Sequence, residues 1–544
     1  MRGGYYTPPE IATFLVQWAL NGSEKNRTVL EPSMGDGAFI LPLVKELSRR
    51  GLAKDEIARS VYGIELFEQE VSRVKNSLNI DKFDSRKFNF FSGDFFSIIN
   101  GALKDKKFDI VLGNPPFIRY QHFPEEQRKI AVDLLAKNNL HPNKLTNAWL
   151  FFLLISIFHL KENGKLAMVV PAELLQVTYA AETRVFLSNI FHSITIISFK
   201  SLTFQGILQE VVLLLCDKSK NSPKGISFVE YSDVSELPPL ATLKQPTHFK
   251  PIDHNTDKWI QYLLTKKEIL LLRKLNKDSR ISRMKDFLEV DVGVVTGNNK
   301  FFVVNGETVE QYGLNDHVIP LVGRSAQMNG GIRFTKNDWK QLNEKNGLCY
   351  LFSLNNEASE TASSAVKKYL HVGEKDGVPE GYKCRTRKLW HFVPSVWIPD
   401  AFLFRQIYTN PRLILNEAKA VPTDTIHRVR FAKSVDKNKF TASFHNSLTF
   451  ACSEVFGRSY GGGVLELEPT EAEALLIPYQ LQNEIDAKKM ENLIKKNGIA
   501  AGVDYADSIL LCRGLGLSKD EVLMLRQIWL KLSQRRLRRK KFNP

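Results

Sequence analysis

The stretch Phe108-Asp109-Ile110-Val111-Leu112-Gly113-Asn114-Pro115-Pro116-Phe117 decides the fold. Its first six residues form an apolar run that reads as a short buried strand ending at a Gly-Asn-Pro turn. Two successive prolines cannot continue a sheet ladder, because neither has an N–H to donate. The strand therefore stops, and Asn114 and Phe117 stand at its carboxyl end, the edge of an open α/β sheet where ligands bind. An amide, two stiff prolines and an aromatic ring suit the holding of a flat, amine-bearing ring. Such a ring would stack on Phe117 while its amine donates to the Asn114 side-chain oxygen and the Pro115 carbonyl. The plainer reading is a turn that ends a strand, with Phe117 merely packing.

Three earlier stretches have the same form. Thr28-Val29-Leu30-Glu31-Pro32-Ser33-Met34-Gly35-Asp36-Gly37-Ala38-Phe39 reads as strand, glycine-containing turn and then a helix over 40–50. Glycines let backbone approach a ligand, and a helix N-terminus offers free N–H groups. Ser60-Val61-Tyr62-Gly63-Ile64-Glu65 is a strand ending in an acid, somewhat beyond the ~20-residue spacing at which an acid takes ribose hydroxyls. Ser92-Gly93-Asp94-Phe95-Phe96 ends a third, where an Asp can accept from an exocyclic amine and a Phe can cover a ring. Each acid alone reads equally as a solvated loop residue; four strand ends in this order argue for one site. Upstream, Tyr5-Tyr6-Thr7-Pro8-Pro9-Glu10 reads as an N-cap, Thr7, with prolines in the first turn of a helix over 11–20.

The totals agree with a multi-domain, nucleic-acid-directed chain. Its 544 residues exceed one core, so two or three domains are expected. Lys and Arg number 75 against 59 Asp and Glu, a formal charge of +16, which points to a polyanionic partner, although a basic surface also aids solubility. The five cysteines are scattered, with no Cys-x-x-Cys pair and no nearby His cluster, so neither a metal site nor a disulfide framework is expected. The residues after Met1 are polar, so no signal peptide is read. The apolar run over 148–160 is too short to span a bilayer.

In order, Tyr-Thr-Pro-Pro-Glu, Leu-Glu-Pro-Ser-x-Gly-Asp-Gly-Ala-Phe, Gly-Ile-Glu, Gly-Asp-Phe-Phe and Gly-Asn-Pro-Pro-Phe resemble the gamma-class DNA adenine-N6 methyltransferases of restriction–modification systems. The resemblance covers residues 5–215 and implies S-adenosylmethionine as cofactor. It implies that Thr7, Glu31, Pro32, Ser33 and Gly35 lie around the methionine end of that cofactor. Glu65 and Leu66 would lie at the ribose, and Asp94 and Phe95 at the adenine. Asn114, Pro115, Pro116 and Phe117 would hold the target base. Tyr179, after Pro171-Ala172-Glu173-Leu174-Leu175 and with its spacing shifted by one residue, matches the second aromatic that sandwiches a flipped base; its plainer role is a surface tyrosine on a helix through Leu187. Asn rather than Ser at position 114 favours adenine over cytosine-N4. Carbon-5 chemistry needs a cysteine after a proline, and none of the five cysteines follows one.

The expected fold class is α/β: a Rossmann-like methyltransferase domain over 1–255, a C-terminal mixed α+β target-recognition domain over 256–480, and a helical basic extension over 481–544. A flexible loop is expected over 119–144, a strand over 166–170, and a closing hairpin from the runs 194–200 and 211–216 around Phe204-Gln205-Gly206. Val294-Val295-Thr296-Gly297-Asn298-Asn299-Lys300-Phe301-Phe302 reads as a tight hairpin. This stretch, Pro320–Arg324, Asp424–Arg428 and Tyr460–Gly463 resemble recognition-domain segments. Arg385, Arg387, Lys388, Trp390, Arg405 and Arg412 suit phosphate and base contacts, or are solvated charges. The run Arg535-Arg536-Leu537-Arg538-Arg539-Lys540-Lys541 suits phosphate, or is a frayed tail. The expected partners are double-stranded DNA and a separate cognate restriction endonuclease, with no membrane, in the cytoplasm of a bacterial or archaeal cell at the nucleoid. An RNA or protein-glutamine methyltransferase, a bifunctional restriction–modification enzyme and a catalytically idle DNA-binding module are the rival readings. Pro399-Asp400 with Glu417-Ala418-Lys419 matches a degenerate nuclease pattern.

Overall fold

The computed structural model describes residues 7–22, 27–142, 146–200, 210–238, 248–253, 258–328, 330–354, 363–460 and 462–538. Tyr5, Tyr6, the turn Phe204-Gln205-Gly206, Gly461 and Arg539-Lys540-Lys541 lie outside the described residues. The chain divides into two units: Met1–Lys266 with Tyr460–Gly462 and Arg538–Pro544, and Lys267–Ser459 with Gly463–Leu537.

The first unit alternates helix and strand. Helix α1 (Pro9–Leu20) precedes β1 (Val29–Glu31), α2 (Ile40–Arg49) and α3 (Lys54–Ser60) lead to β2 (Val61–Glu65), α4 (Glu68–Ile80) to β3 (Asn89–Ser92), and α5 (Phe95–Asn100) to β4 (Phe108–Gly113). Then follow α6 (Glu125–Ala136), α7 (Ala148–Phe158), β5 (Leu160–Pro171), α8 (Ala181–Ile190), β6 (Ser193–Phe199), β7 (Val211–Asp217) and β8 (Gly225–Tyr231). The eight strands are ordered β3-β2-β1-β4-β5-β7-β6-β8. Neighbours among β1–β5 pair parallel, β7 runs antiparallel to β5 and β6, and β8 is parallel to β6. Because β4 is buried on both faces, Ile110, Val111 and Leu112 form a continuous apolar run rather than an alternation. Ile110 and Leu112 join a core with residues of α1–α4. Helices α5 and α7 and residue Phe123 meet through an aromatic cluster of Phe95, Phe96, Phe123, Phe151 and Phe152. The strand order reverses between β1 and β4, so the crevice outside their carboxyl ends is the natural ligand site.

Four local expectations need correction. Thr7 does not cap α1: Pro8 holds the N-cap position, without a side-chain bond, and Pro9 starts the helix. The segment read as a flexible loop contains α6, begun by Pro124 with Glu125 and Glu126 in its first turn. Its buried face is only Ala131 and Leu135, four residues apart, which gave little periodic signal. Tyr179 sits in a one-turn 3₁₀ segment, Thr178–Ala180, ahead of α8. The sheet carries one strand more than was read, β8, which pairs with β6 along its whole length.

The second unit is mixed α+β. Its five-stranded sheet is ordered Leu288–Val292, Ile426–Phe431, Ala401–Phe404, Leu413–Asn416 and Arg333–Phe334. A four-stranded sheet joins Val303–Val304, Tyr350–Phe352, Val318–Val322 and Val421–Pro422. The stretch read as a hairpin is none: Asn298 accepts from the Lys300 and Phe301 amides and caps the short helix Asn299–Phe302. The Gly-Asn pair signals a helix start here, since Asn serves caps as readily as turns.

Several basic residues read as DNA contacts face inward. Arg405 pairs with Glu466 and Glu468. Arg412 donates to the Gly330 and Gly331 carbonyls. Helix Lys519–Arg538 is folded to its last described turn, with Leu525, Ile528, Trp529 and Leu532 buried. Arg536, 2 % exposed, pairs with Glu454 at 2.8 Å and donates to the carbonyls of Ile407, Tyr408 and Gly463. At least part of the basic run is thus core rather than tail. In the nuclease-like pattern, Asp400 pairs with Lys437 and Glu417 with Arg333. Asp400 and Glu417 thus each have a basic partner of their own, and Glu417 lies in the turn after the strand Leu413–Asn416. Among the described residues no His, Cys, Asp and Glu group could hold a metal ion.

Candidate active site

The strand ends expected to converge do so. A cavity of about 170 Å³ is lined by Thr7, Glu31, Pro32, Ser33, Gly35, Glu65, Leu66, Asp94, Phe95, Asn114 and Pro116. Pro115, Phe117 and Tyr179 are outside its wall. Backbone bonds lock the turns together: Met34 N donates to the Ile64 carbonyl and Gly93 N to the Glu65 carbonyl, each at 2.9 Å. Gly35 has a φ of +51°, and a Cβ there would meet nothing within 4 Å. Gly37, with a φ of +87°, is held tightly instead, since a Cβ would come to 2.9 Å from Val74.

The electrostatics are acidic. Glu65 accepts from the Gly35 amide through Oε2 at 2.9 Å and from the Phe67 amide through Oε1 at 3.1 Å. Each oxygen keeps a second lone pair. Glu31 is 1 % exposed, and its Oε2 has no hydrogen-bond partner among the described residues. Burial, then the charges of Asp36 and Glu65, raise its carboxyl well above the ordinary range. A buried carboxyl with an open acceptor beside two other acids calls for a cationic ligand. Asp94 takes the Ser97 amide and hydroxyl on Oδ2 as the N-cap of α5.

Asn114 is gripped at both ends. Its Nδ2 donates to Thr7 Oγ1 at 3.1 Å, and its carbonyl accepts from Ser33 Oγ at 3.3 Å. Phe117 is partly buried and packs against the main core. The Tyr179 hydroxyl donates to Glu173 and accepts from Asn147 Nδ2 at 3.1 Å. Burial and the Glu173 carboxylate push its phenol far up. Asn147 also accepts the Tyr120 amide at 3.1 Å, so one amide ties the segment after Phe117 to Tyr179.

Sequence reading missed Ile118, Phe123, Gln127 and Phe152, which also line the cavity. Phe95 stacks on Phe152 at 4.8 Å with rings 15° from parallel. Phe152 sits in α7, in which every residue from Ala148 to Ile157 is buried, so no periodicity distinguishes a cavity residue there from a core one. Asn147 and Glu173 were equally hidden, since a lone amide or acid carries no pattern.

An open, mostly parallel sheet, a cavity at its switch point and acids around that cavity define a nucleotide-type cofactor enzyme. Residues 1–287 match the model of the family described as N-6 DNA Methylase. Residues 256–511 match "Type II methyltransferase M.Eco57I, C-terminal domain". The chain belongs to the N-6 DNA methylase family: it is an adenine-N6 DNA methyltransferase whose first unit has a Rossmann-like α/β fold. It is similar to Type II methyltransferase M.AccI of Acinetobacter calcoaceticus, with 22 % identity over 90 % of this chain and 88 % of that one. It is also similar to Type II methyltransferase M.HindII of Haemophilus influenzae, with 26 % identity over 56 % of this chain and 55 % of that one. The solved Type IIL restriction–modification enzyme MmeI, in complex with DNA, shares the fold at a TM-score of 0.55 and 14 % identity, over 98 % of this chain and 73 % of that one. Among the described residues no helix is long and apolar enough to cross a membrane.

Proposed function

We propose that the cavity binds S-adenosylmethionine and that the reaction is methyl transfer to the N6 amine of an adenine flipped out of duplex DNA. The observation that carries this reading is the juxtaposition of the Glu31 carboxyl, with its open Oε2, and the Asn114 amide in one cavity wall. The acids fit the cofactor, which bears an ammonium and a sulfonium. Glu31 and Ser33 would hold its methionine end, with Gly35 leaving room; Glu65 and Leu66 would take the ribose, and Asp94 and Phe95, backed by Phe152, the adenine. When bound, the cofactor supplies an electrophilic methyl group.

The chain's own residues do the rest. Adenine's exocyclic nitrogen is a poor nucleophile, because its lone pair is delocalised into the ring. Asn114 Oδ1 and the Pro115 carbonyl would accept hydrogen bonds from its two N–H groups and favour a pyramidal nitrogen whose lone pair faces the methyl site; as the N–C bond forms and the methyl–sulfur bond breaks, one of those protons is given up to solvent. This is orientation and electrostatic stabilisation, with no covalent enzyme intermediate. Flipping costs a few kcal/mol. Stacking on Phe117 and Tyr179, at ~1–3 kcal/mol per contact, offsets much of it. Pro116 stiffens the turn. Residues 256–480 would choose the DNA site and residues 1–255 carry the chemistry, with 481–544 as a helical extension. The relatives' names suggest that the chain serves a restriction–modification system; we propose that it does so beside a separate cognate endonuclease, in the cytoplasm.

Tritium transfer from labelled S-adenosylmethionine tests the reading. Duplex DNA from a methylation-deficient host should take label at adenine N6. Label in RNA or protein instead would sink it.

A further inference from the structure

We infer that Thr7 is a positioning residue for Asn114, holding its amide plane so that Oδ1 faces the target amine, rather than a ligand of the cofactor; this rests on the reading of Asn114 given above. Thr7 stands two residues before the first residue of α1, and its residue type suits a cap. It does not cap the helix, since Pro8 stands at the cap. Its oxygen instead accepts from Asn114 Nδ2 at 3.1 Å, across 107 residues of sequence. Thr7 is 7 % exposed, so this bond is shielded from water.

The consequence is chemical. An Asn side chain turns about its last torsion in a broad, shallow well. Anchoring the amide nitrogen fixes the plane, and with it the direction of Oδ1. Ser33 Oγ on the Asn114 carbonyl, at 3.3 Å, fixes the backbone end. The result is a relay: amine N–H to Oδ1, amide resonance, then Nδ2–H to Thr7 Oγ1. Hydrogen bonds in such a chain polarise one another. As the amine nitrogen gains positive charge, its protons bind Oδ1 more strongly, and the Thr7 bond strengthens in turn. The contribution therefore falls on the transition state more than on cofactor or DNA binding.

The test uses the full-length chain and single-turnover tritium transfer to plasmid DNA from a methylation-deficient host, at saturating S-adenosylmethionine. Cofactor affinity is measured in parallel by calorimetry. Thr7→Val keeps the shape and removes the acceptor. It should slow transfer roughly tenfold to hundredfold, the scale of a misplaced reacting group, at unchanged cofactor affinity. Thr7→Ser should restore most of the lost rate. If saturating cofactor returns Thr7→Val to the wild-type rate, or if Thr7→Ser fails to rescue it, the positioning role is overturned. Asn114→Ala is the control. Normal turnover there removes the reading of Asn114 itself, whereas an inactive Asn114→Ala beside a wild-type rate in Thr7→Val removes only the role of Thr7.

Discussion

Glu31 in the first unit and Arg536 in the second are buried charges held in opposite ways. In the first, acids gather at a cavity and one keeps an open valence: Glu31 has an oxygen with no partner among the described residues. In the second, three buried ions are neutralised in place. Arg536 pairs with Glu454, and Asp507 accepts from the Ser447 amide and hydroxyl and from Arg526. Arg428, over the Trp397 ring at 4.6 Å, pairs with Asp291. A satisfied buried charge is architecture. An unsatisfied one at a cavity is a request for a ligand.

The largest effect expected from this contrast is on stability in the second unit. Arg536→Ala leaves Glu454 buried, 3 % exposed, with its carboxyl already pushed up by burial in spite of the arginine. Breaking a buried pair by removing one partner costs ~3–5 kcal/mol. Denaturant unfolding should show that loss. A midpoint unchanged from wild type would mean that the helix Lys519–Arg538 is the dispensable tail that its basic composition suggested.

A smaller effect of opposite sign is expected in the first unit. The Glu31 carboxyl is raised by burial and by Asp36 and Glu65. An acid whose folded pKa lies above its unfolded value of about 4.3 stabilises the fold below that pH. Its contribution is lost as pH rises towards the folded value. Glu31→Gln should therefore match wild type in acid and be the more stable of the two near neutrality. The same variant should bind S-adenosylmethionine more weakly. Wild-type binding should release a proton, seen as a buffer-dependent calorimetric heat that Glu31→Gln lacks. A variant less stable than wild type near neutrality would show that Glu31 is architectural.

This contrast also explains what could be read in advance. Strands β1–β4 announce themselves because each run ends in Gly, Pro, Asn or an acid, and residues of those ends line the cavity. Helix α6 was hidden because a surface helix with two buried anchors barely differs in pattern from a polar loop. Phe152 was hidden because α7 is apolar all round. In the second unit the misreadings share one cause. Asn298, Arg405, Arg412 and Arg536 are residue types that serve ligands and architecture equally, and only their partners decide. Asp400 and Glu417 look paired along the chain, but each is taken by a different basic residue, Lys437 and Arg333.

The central claim is that Asn114 acts on the amine as it becomes pyramidal, and it is tested most directly by separating flipping from chemistry. The modified sequence is first read from methylated DNA. A fluorescent adenine analogue is then placed at the target position, and single-turnover transfer is followed on the unlabelled duplex. Asn114→Ala should give the bright signal of a flipped base, DNA affinity near wild type and negligible methyl transfer. Phe117→Ala should give a dim signal. Near-wild-type turnover in Asn114→Ala would contradict the mechanism and return Asn114 to the role of a residue that merely ends β4.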